Sequence, residues 1–427
     1  MKHVLKSSSL CGAMLALSMS TALAVDLELY FPVAVGGEAA NTIQAMTDEY
    51  MARNAEVKIN AIYTGSYADT TTRAITAARG GNPPHLAILS AVDVFMLQDE
   101  NLIDAWDGYL SEDELQNWVG GFYEAFRANT HKNGKTWGIP FQRSTPVMYY
   151  NKDAFKAAGL DPEAPPSTWE QLVETGRKLT VRDANGTVTQ WGVRIPSSGF
   201  PYWPFQALAI ANGAELMNAE GTETYFDRPE VIEALQFLVD LSKKHQILAP
   251  GIVDWGATPR AFLDGEAGMA ITTTGNLTNI RTNATFDLGV AMLPKNKQYG
   301  VATGGGDFFL FKGHDQEATR AAIDFVKWAT APEQAAAWSI ATGYVAPRPD
   351  IWETDKMKEY VKEVPGALVA RNQLEHAVAE FSTYENARVR QILNDAIAAA
   401  IVGDKSPEQA LTDAQGEADA ILKLYRQ

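Results

Sequence analysis

No feature restricts the fold of this chain more than the alternation of extended and helical patterns that starts near its N-terminus. Residues 27–31 read as a strand. Gly36-Gly37 then opens a helix whose apolar positions Ala39, Ile43, Met46 and Tyr50 keep helical spacing. Val57, Ile59, Ala61 and Tyr63 fall on alternate positions of a second strand. A helix over 69–79 follows, and Gly80-Gly81-Asn82-Pro83-Pro84 breaks it before the fully apolar run 86–89. Such a β-α-β-α-β order implies a mostly parallel sheet covered on both faces, the α/β class.

The alternation persists down the chain. Residues 138–141 and 147–150 read as extended, with polar Gln142-Arg143-Ser144-Thr145 between them. Ser167, with Glu170 three positions on, predicts a capping box at a helix start. Short strands are expected at 268–271 and 308–311, and helices at 316–329, 332–342 and 386–402, the last stopped by Gly403. Ser406-Pro407 starts a C-terminal helix. The 427 residues exceed one ordinary core, so two lobes are expected. No low-complexity tether separates them, so strands must join the lobes.

The first residues carry a different message. Lys2 and Lys6 precede an apolar run over 10–17, and Thr21-Ala22-Leu23-Ala24 ends in a small-residue cleavage pattern. The run is too short for a permanent membrane span, so residues 1–24 are expected to be a cleaved export signal. Cleavage removes Cys11, the one cysteine of the chain. A large exported chain without thiols suits the bacterial periplasm. The formal charge is −16, and losing Lys2 and Lys6 makes it more negative. That balance argues against a nucleic-acid partner. An anionic ligand would have to be held by local geometry against the overall field.

Catalytic signatures are absent: the sequence has no phosphate-binding G-x-x-x-x-G-K-[ST], no H-E-x-x-H, no G-x-S-x-G and no C-x-x-C. His85, His131, His245, His314 and His376 show no metal-ligand spacing. Gly304-Gly305-Gly306 leads into a strand rather than a helix, so it is not a dinucleotide fingerprint, and by itself it can be read as a tight turn. The chain is therefore expected to be no enzyme and to use no metal or cofactor.

One stretch is more specific. Pro140-Phe141-Gln142-Arg143-Ser144-Thr145-Pro146-Val147-Met148-Tyr149-Tyr150-Asn151-Lys152 resembles the first interlobe crossing of the family 1 extracellular solute-binding proteins. Ala157-Ala158-Gly159-Leu160-Asp161-Pro162 and Pro165-Pro166-Ser167-Thr168-Trp169 continue in the same manner, and Phe262-Leu263-Asp264-Gly265-Glu266-Ala267-Gly268-Met269 is similar to the strand into the second crossing. The resemblance covers essentially the whole chain after the export signal, and its glycerol-3-phosphate-binding subgroup is the most similar. It implies the type II periplasmic binding protein fold: two α/β lobes joined by crossing strands, with a small molecule held in the cleft. It also implies a monomeric receptor serving an ABC permease in the inner membrane. The lobes are expected at 25–141 with 274–313, and at 142–273 with 314–427.

The resemblance carries ligand positions with it. Tyr67, Ser144, Thr273, Gly306, Tyr344 and Arg390 match positions that hold ligand in that subgroup, with Thr273 in place of a serine. For a phosphate the set is sensible: Arg390 supplies a forked permanent cation, and hydroxyls and a glycine N–H supply directional donors. One position departs, since Ala91 stands where the subgroup has a glutamate that accepts bonds from glycerol hydroxyls. An alanine there removes acceptors and leaves room, which opens a larger phosphodiester such as glycerophosphocholine. Trp169, Tyr202, Trp203 or Trp255 could then face a quaternary ammonium, or else pack in the C-terminal lobe, the reading that applies least to Trp169. Taken singly, Arg390 reads first as a solvated or salt-bridged helix residue, and Tyr344 can be read as a corner residue closing a helix and Ser144 and Thr273 as ordinary crossing-strand residues. Two alternatives stay open: a sugar or oligosaccharide receptor of the same fold, which would use aromatic platforms and carboxylates without Arg390, and a secreted hydrolase, which would need a paired nucleophile and base.

Overall fold

The computed structural model describes residues 24–426. The expected export signal, with Cys11, therefore lies outside the described residues, apart from Ala24. Two five-stranded sheets organise the chain. The first holds β1 (Val25–Phe31), β2 (Val57–Tyr63), β3 (Leu86–Ser90) and β4 (Gly138–Ser144). The second holds β5 (Pro146–Asn151), β6 (Val188–Arg194), β7 (Ala267–Thr273) and β8 (Leu288–Ala291), with a two-residue edge strand Val181–Arg182. A ninth strand, β9 (Gly304–Leu310), returns to the first sheet between β3 and β4.

In the first sheet β1 runs parallel to β2 and β3, as the alternation predicts. β9 is antiparallel to both its neighbours, so the sheet is mixed rather than uniformly parallel. Both faces are buried. Leu27, Leu29 and Phe31 of β1 pack on one side with Leu86 and Ile88 of β3, while Tyr30, Ala87 and Leu89 pack on the other. The second sheet alternates likewise: Met148, Tyr150, Met269 and Ile271 face one core, and Val147, Tyr149 and Ala270 face another. Period-2 alternation with apolar residues on both faces requires helices on both sides, which is what separates these strands from a half-solvated sheet.

Helices α1 (Ala39–Arg53) and α2 (Tyr67–Arg79) cover opposite faces of the first sheet. The start of α2 is fixed by a capping box, in which the Ser66 hydroxyl accepts from the Asp69 N–H and the Asp69 carboxylate accepts from the Ser66 N–H. The helices α3 (Trp169–Leu179), α4 (Tyr202–Ala211) and α5 (Pro229–Lys243) cover the second sheet. The expected cap at α3 moves by one residue. Thr168, not Ser167, is the N-cap and accepts from the Gln171 N–H, while the Gln171 side chain accepts from Ser167. Glu170 has no part in it, because the turn places the following residue opposite the cap.

Later helices fall where the periodicity puts them: α6 (Gln316–Ala329), α7 (Pro332–Thr342), α8 (Asn386–Val402) and α9 (Pro407–Leu422). Their lobes differ from the expected segments. β8 pairs with β5 in the second sheet, although 274–313 was expected to stay with the first. Helix α6 packs Ala318, Ala322, Ile323, Phe325 and Val326 on the first sheet, although 314–427 was expected to stay with the second. Strand pairing and helix docking are long-range choices that no local pattern encodes, so these boundaries were not legible.

The chain crosses between the sheets at Thr145, where β4 gives way to β5. Beside it, Thr274 N–H donates to the Thr145 carbonyl and Thr145 N–H donates to the Thr274 hydroxyl. The crossing is further braced by Gln373, whose amide donates to the Thr145 hydroxyl at 2.6 Å and to the Pro146 carbonyl at 2.8 Å. Among the described residues, no helix is long and apolar enough to cross a membrane.

Candidate functional site

A cleft of about 410 Å³, mouth included, lies where the two sheets meet. It forms at strand ends, the usual place for ligand in open α/β sheets. Ser144 closes β4 and Thr273 closes β7, so the two crossings each set a hydroxyl into its wall. Ser90, at the end of β3, adds a third. The Thr273 hydroxyl also accepts from the Gly275 N–H at 3.1 Å, which orients its own proton away from the turn.

Tyr67 is the first residue of α2 and lines the cleft with Tyr344. The Tyr67 hydroxyl donates to the Gln142 side chain at 2.8 Å. Burial, reinforced by the Tyr344 phenol beside it, holds Tyr67 well above the ordinary phenol range, so it stays a neutral donor. Tyr344 stacks on Trp338, with centroids 5.7 Å apart, and burial pushes its phenol up as well.

The glycine run is not a tight turn, because Gly304–Leu310 is strand throughout. Gly305 lines the cleft with φ +99°, and a Cβ there would stand 1.8 Å from the Gln142 carbonyl oxygen. Only glycine is accommodated at that approach. Gly306, the position carried over from the resemblance, lies behind the wall. A Cβ there would meet Tyr67 Cε1 at 2.8 Å, so Gly306 lets the Tyr67 ring lie against the strand. Gly305, its neighbour, is the residue that faces the cleft.

Phe200, Tyr202, Trp203 and Trp255 form an aromatic wall. Trp255 meets Phe200 and Trp203 edge to face, with centroids 5.1 and 5.9 Å away. The Trp203 indole is pinned by donating to the Thr303 carbonyl at 2.8 Å. The Trp255 indole donates to the Ala34 carbonyl at 3.3 Å, a bond between the second lobe's wall and the loop after β1. Trp169 does not join them. It stacks on Phe237 at 4.0 Å and 5° within the second lobe's core. Helical spacing on α3 turns its ring inward with Leu172 and Val173; Tyr202 and Trp203 belong to the same buried core but also reach the cleft, whereas Trp169 does not.

Arg390, on α8, is half-buried and does not line the cleft. Its guanidinium lies over the Tyr202 ring, 5.4 Å from the centroid, so Tyr202 separates it from the open space. Ala91 is fully buried and does not line the cleft either, so its substitution opens no room there; Ser90 provides the wall.

Glu380 was not anticipated. It is 4% exposed and lines the cleft, with Oε1 accepting from the Tyr202 hydroxyl at 2.6 Å. Burial pushes its carboxyl up to about 7, against the pull of the Tyr202 bond and of Arg143 and Arg390 nearby. A lone acid within the uncharged run 377–384 was the available signal. Below the cleft, Arg143 and Asp307 form an ion pair at 3.0 Å with both side chains fully buried. Arg143 also donates to the Thr303 hydroxyl, and Thr130 donates to Asp307. This pair ties β4 to β9 directly under Gly305. Among the described residues, no cluster of three or more His, Cys, Asp or Glu could hold a metal.

Comparison with known proteins gives this geometry a context. Residues 45–365 match the model of the bacterial extracellular solute-binding protein family. The chain is 28% identical to the sn-glycerol-3-phosphate-binding periplasmic protein UgpB of Pectobacterium atrosepticum, covering 100% of this chain and 97% of that one. Among solved structures, a cyclic α-maltosyl-1,6-maltose binding protein from Arthrobacter globiformis superposes with TM-score 0.78 at 25% identity, over 94% of this chain and 99% of that one. UgpB from Mycobacterium tuberculosis, solved with glycerophosphocholine, superposes with TM-score 0.80 at 21% identity, over 94% and 99%. The last shares the fold.

Proposed function

This chain belongs to the bacterial extracellular solute-binding proteins, and from that premise we propose that it is a periplasmic receptor delivering a glycerol phosphate or a glycerophosphodiester to an ABC importer. The observation that carries the reading is the pairing, in one cleft, of neutral hydroxyl donors with an aromatic wall. Ser90, Ser144, Thr273 and Tyr344 offer hydroxyls to phosphate oxygens, and Arg390 stands behind Tyr202 as the nearby cation. Phe200, Trp203 and Trp255 offer faces to whatever the phosphate is esterified to. The full-length similarity to a glycerol-3-phosphate-binding relative supports the phosphate. Ligand touching both lobes favours the closed form by its differential affinity, with hinge closure at the Thr145 and Thr274 crossings.

A second reading has its own support. The lining residues include no cation, and aromatic faces beside a carboxylate also suit a sugar; the maltosyl-maltose binding relative is of that kind. Calorimetry of the exported protein separates the two, with glycerol 3-phosphate, glycerophosphocholine, phosphate, maltose and trehalose as ligands. The phosphate reading expects binding of an organophosphate that weakens by about threefold to tenfold in Arg390→Ala, the loss of a cation acting from behind the Tyr202 ring and not of a direct partner. Binding of sugars alone, with Arg390→Ala silent, overturns it.

A further inference from the structure

Glu380 is the one charged side chain among the described residues that line the cleft. Its backbone is held from both sides: Glu380 N–H donates to Asn129 Oδ1 at 3.0 Å, and the Glu380 carbonyl accepts from Asn129 Nδ2 at 2.8 Å. Gln206 brackets the same segment, donating to the Ala379 carbonyl and accepting from the Phe381 N–H. The carboxylate is thus fixed in place, with Oε1 engaged by Tyr202. Oε2 is buried and has no hydrogen-bond partner.

A buried carboxylate oxygen without a partner is costly unless something completes it. The cations nearby do not. The Arg143 Nη atoms bond Asp307, Thr303 and Gly305 while its Nε is buried without a partner, and Arg390 lies across the Tyr202 ring; both cations favour the ionised Glu380 without bonding Oε2. Asp93, on the Arg390 side, adds a further negative group, bonded by Thr71. The site therefore presents a carboxylate with one unbonded oxygen beside the aromatic faces of Trp203 and Trp255. An anionic ligand alone would meet repulsion there. A ligand carrying a positive group as well as a phosphate would meet a carboxylate, π faces and hydroxyls in one cleft.

Resting on the glycerophosphodiester reading, we propose that Glu380 is the specificity-determining residue of the cleft, its carboxylate selecting phosphodiesters whose alcohol is a cationic amine. In this chain the acid comes from the 377–384 segment rather than from the position now held by Ala91.

The test uses the full exported protein and three probes: glycerophosphocholine, glycerophosphoethanolamine and glycerophosphoinositol, the last with a neutral polyol head. In Glu380→Gln, which keeps volume and the bond from Tyr202, the two cationic esters should lose roughly 30-fold or more in affinity, and the inositol ester less than about threefold. In the unmodified protein, the preference for cationic esters over the inositol ester should grow as pH rises from 5.5 to 8.5, since the ionised carboxylate is the selecting form; this arm needs no variant to fold. Equal loss for all three esters, no loss for any, or a pH-independent preference overturns the assignment of Glu380 while phosphodiester binding by the unmodified protein keeps the receptor reading. Binding of no phosphodiester by the unmodified protein overturns both.

Discussion

Replacing Glu380 with glutamine should change how stability depends on pH, and the magnitude follows from its burial. The carboxyl moves from an ordinary value of 4.5 to about 7 in the fold, with desolvation as the largest cause. A raised acid pKa means the folded protein holds a proton that the unfolded chain has already lost. Below pH 4.5 both states are protonated and the group contributes nothing. Between pH 4.5 and 7 the unfolded state is stabilised progressively by ionising, and above 7 the full penalty remains. At 1.36 kcal/mol per unit, the folded state forfeits about 3 kcal/mol across that interval. Tyr202, Arg143, Arg390 and Asp93 face the same carboxyl and are common to both proteins. Urea unfolding of ligand-free protein and of Glu380→Gln at pH 4, 5.5, 7 and 8.5 isolates the term. The difference between them should hold a constant offset, set by the buried amide, plus a component favouring the variant that grows to about 3 kcal/mol by pH 7 and then levels. A difference independent of pH, or one that grows as pH falls, refutes the account of Glu380 as a desolvated acid.

Arg143→Met should destabilise by about 3–5 kcal/mol in urea unfolding, because Asp307 is left buried without its cation; adding Asp307→Leu should recover much of that loss. Trp169→Ala should lower stability by about 3–5 kcal/mol, yet leave ligand affinity within about threefold, since its ring stacks on Phe237 away from the cleft. Trp255→Ala should do the reverse, losing ligand affinity measured by calorimetry more than stability, because its ring lines the cleft.

Much of the fold was written locally. The span of α1 and the limits of α6, α7 and α8 follow from apolar spacing and flanking breakers, and two-sided burial of β3 follows from an uninterrupted apolar run. These features depend on neighbours three or four residues away, or on alternate positions, so the order of residues suffices to set them. The resemblance likewise placed Tyr67, Ser144, Thr273 and Tyr344, which come together in one cleft from four separate parts of the chain.

What the sequence could not decide were the relations between distant elements. The pairing of β8 with β5, and the docking of α6 on the first sheet, depend on which surfaces meet after collapse. The same holds for side chains whose meaning lies in their surroundings. Trp169 and Trp255 are the same residue, but one stacks in a core and the other faces open space, because α3 turns its ring inward while the loop at 255 meets Ala34 across the cleft. Arg390 reads in sequence as a ligand cation, yet the Tyr202 ring stands between it and the open space. Glu380 reads as one acid among 52 acidic residues; only the fold buries it, bonds one of its oxygens and leaves the other free. Local order set the secondary structure and the receptor's family, whereas the electrostatics of the cleft arose from desolvation, which exists only once the lobes have met.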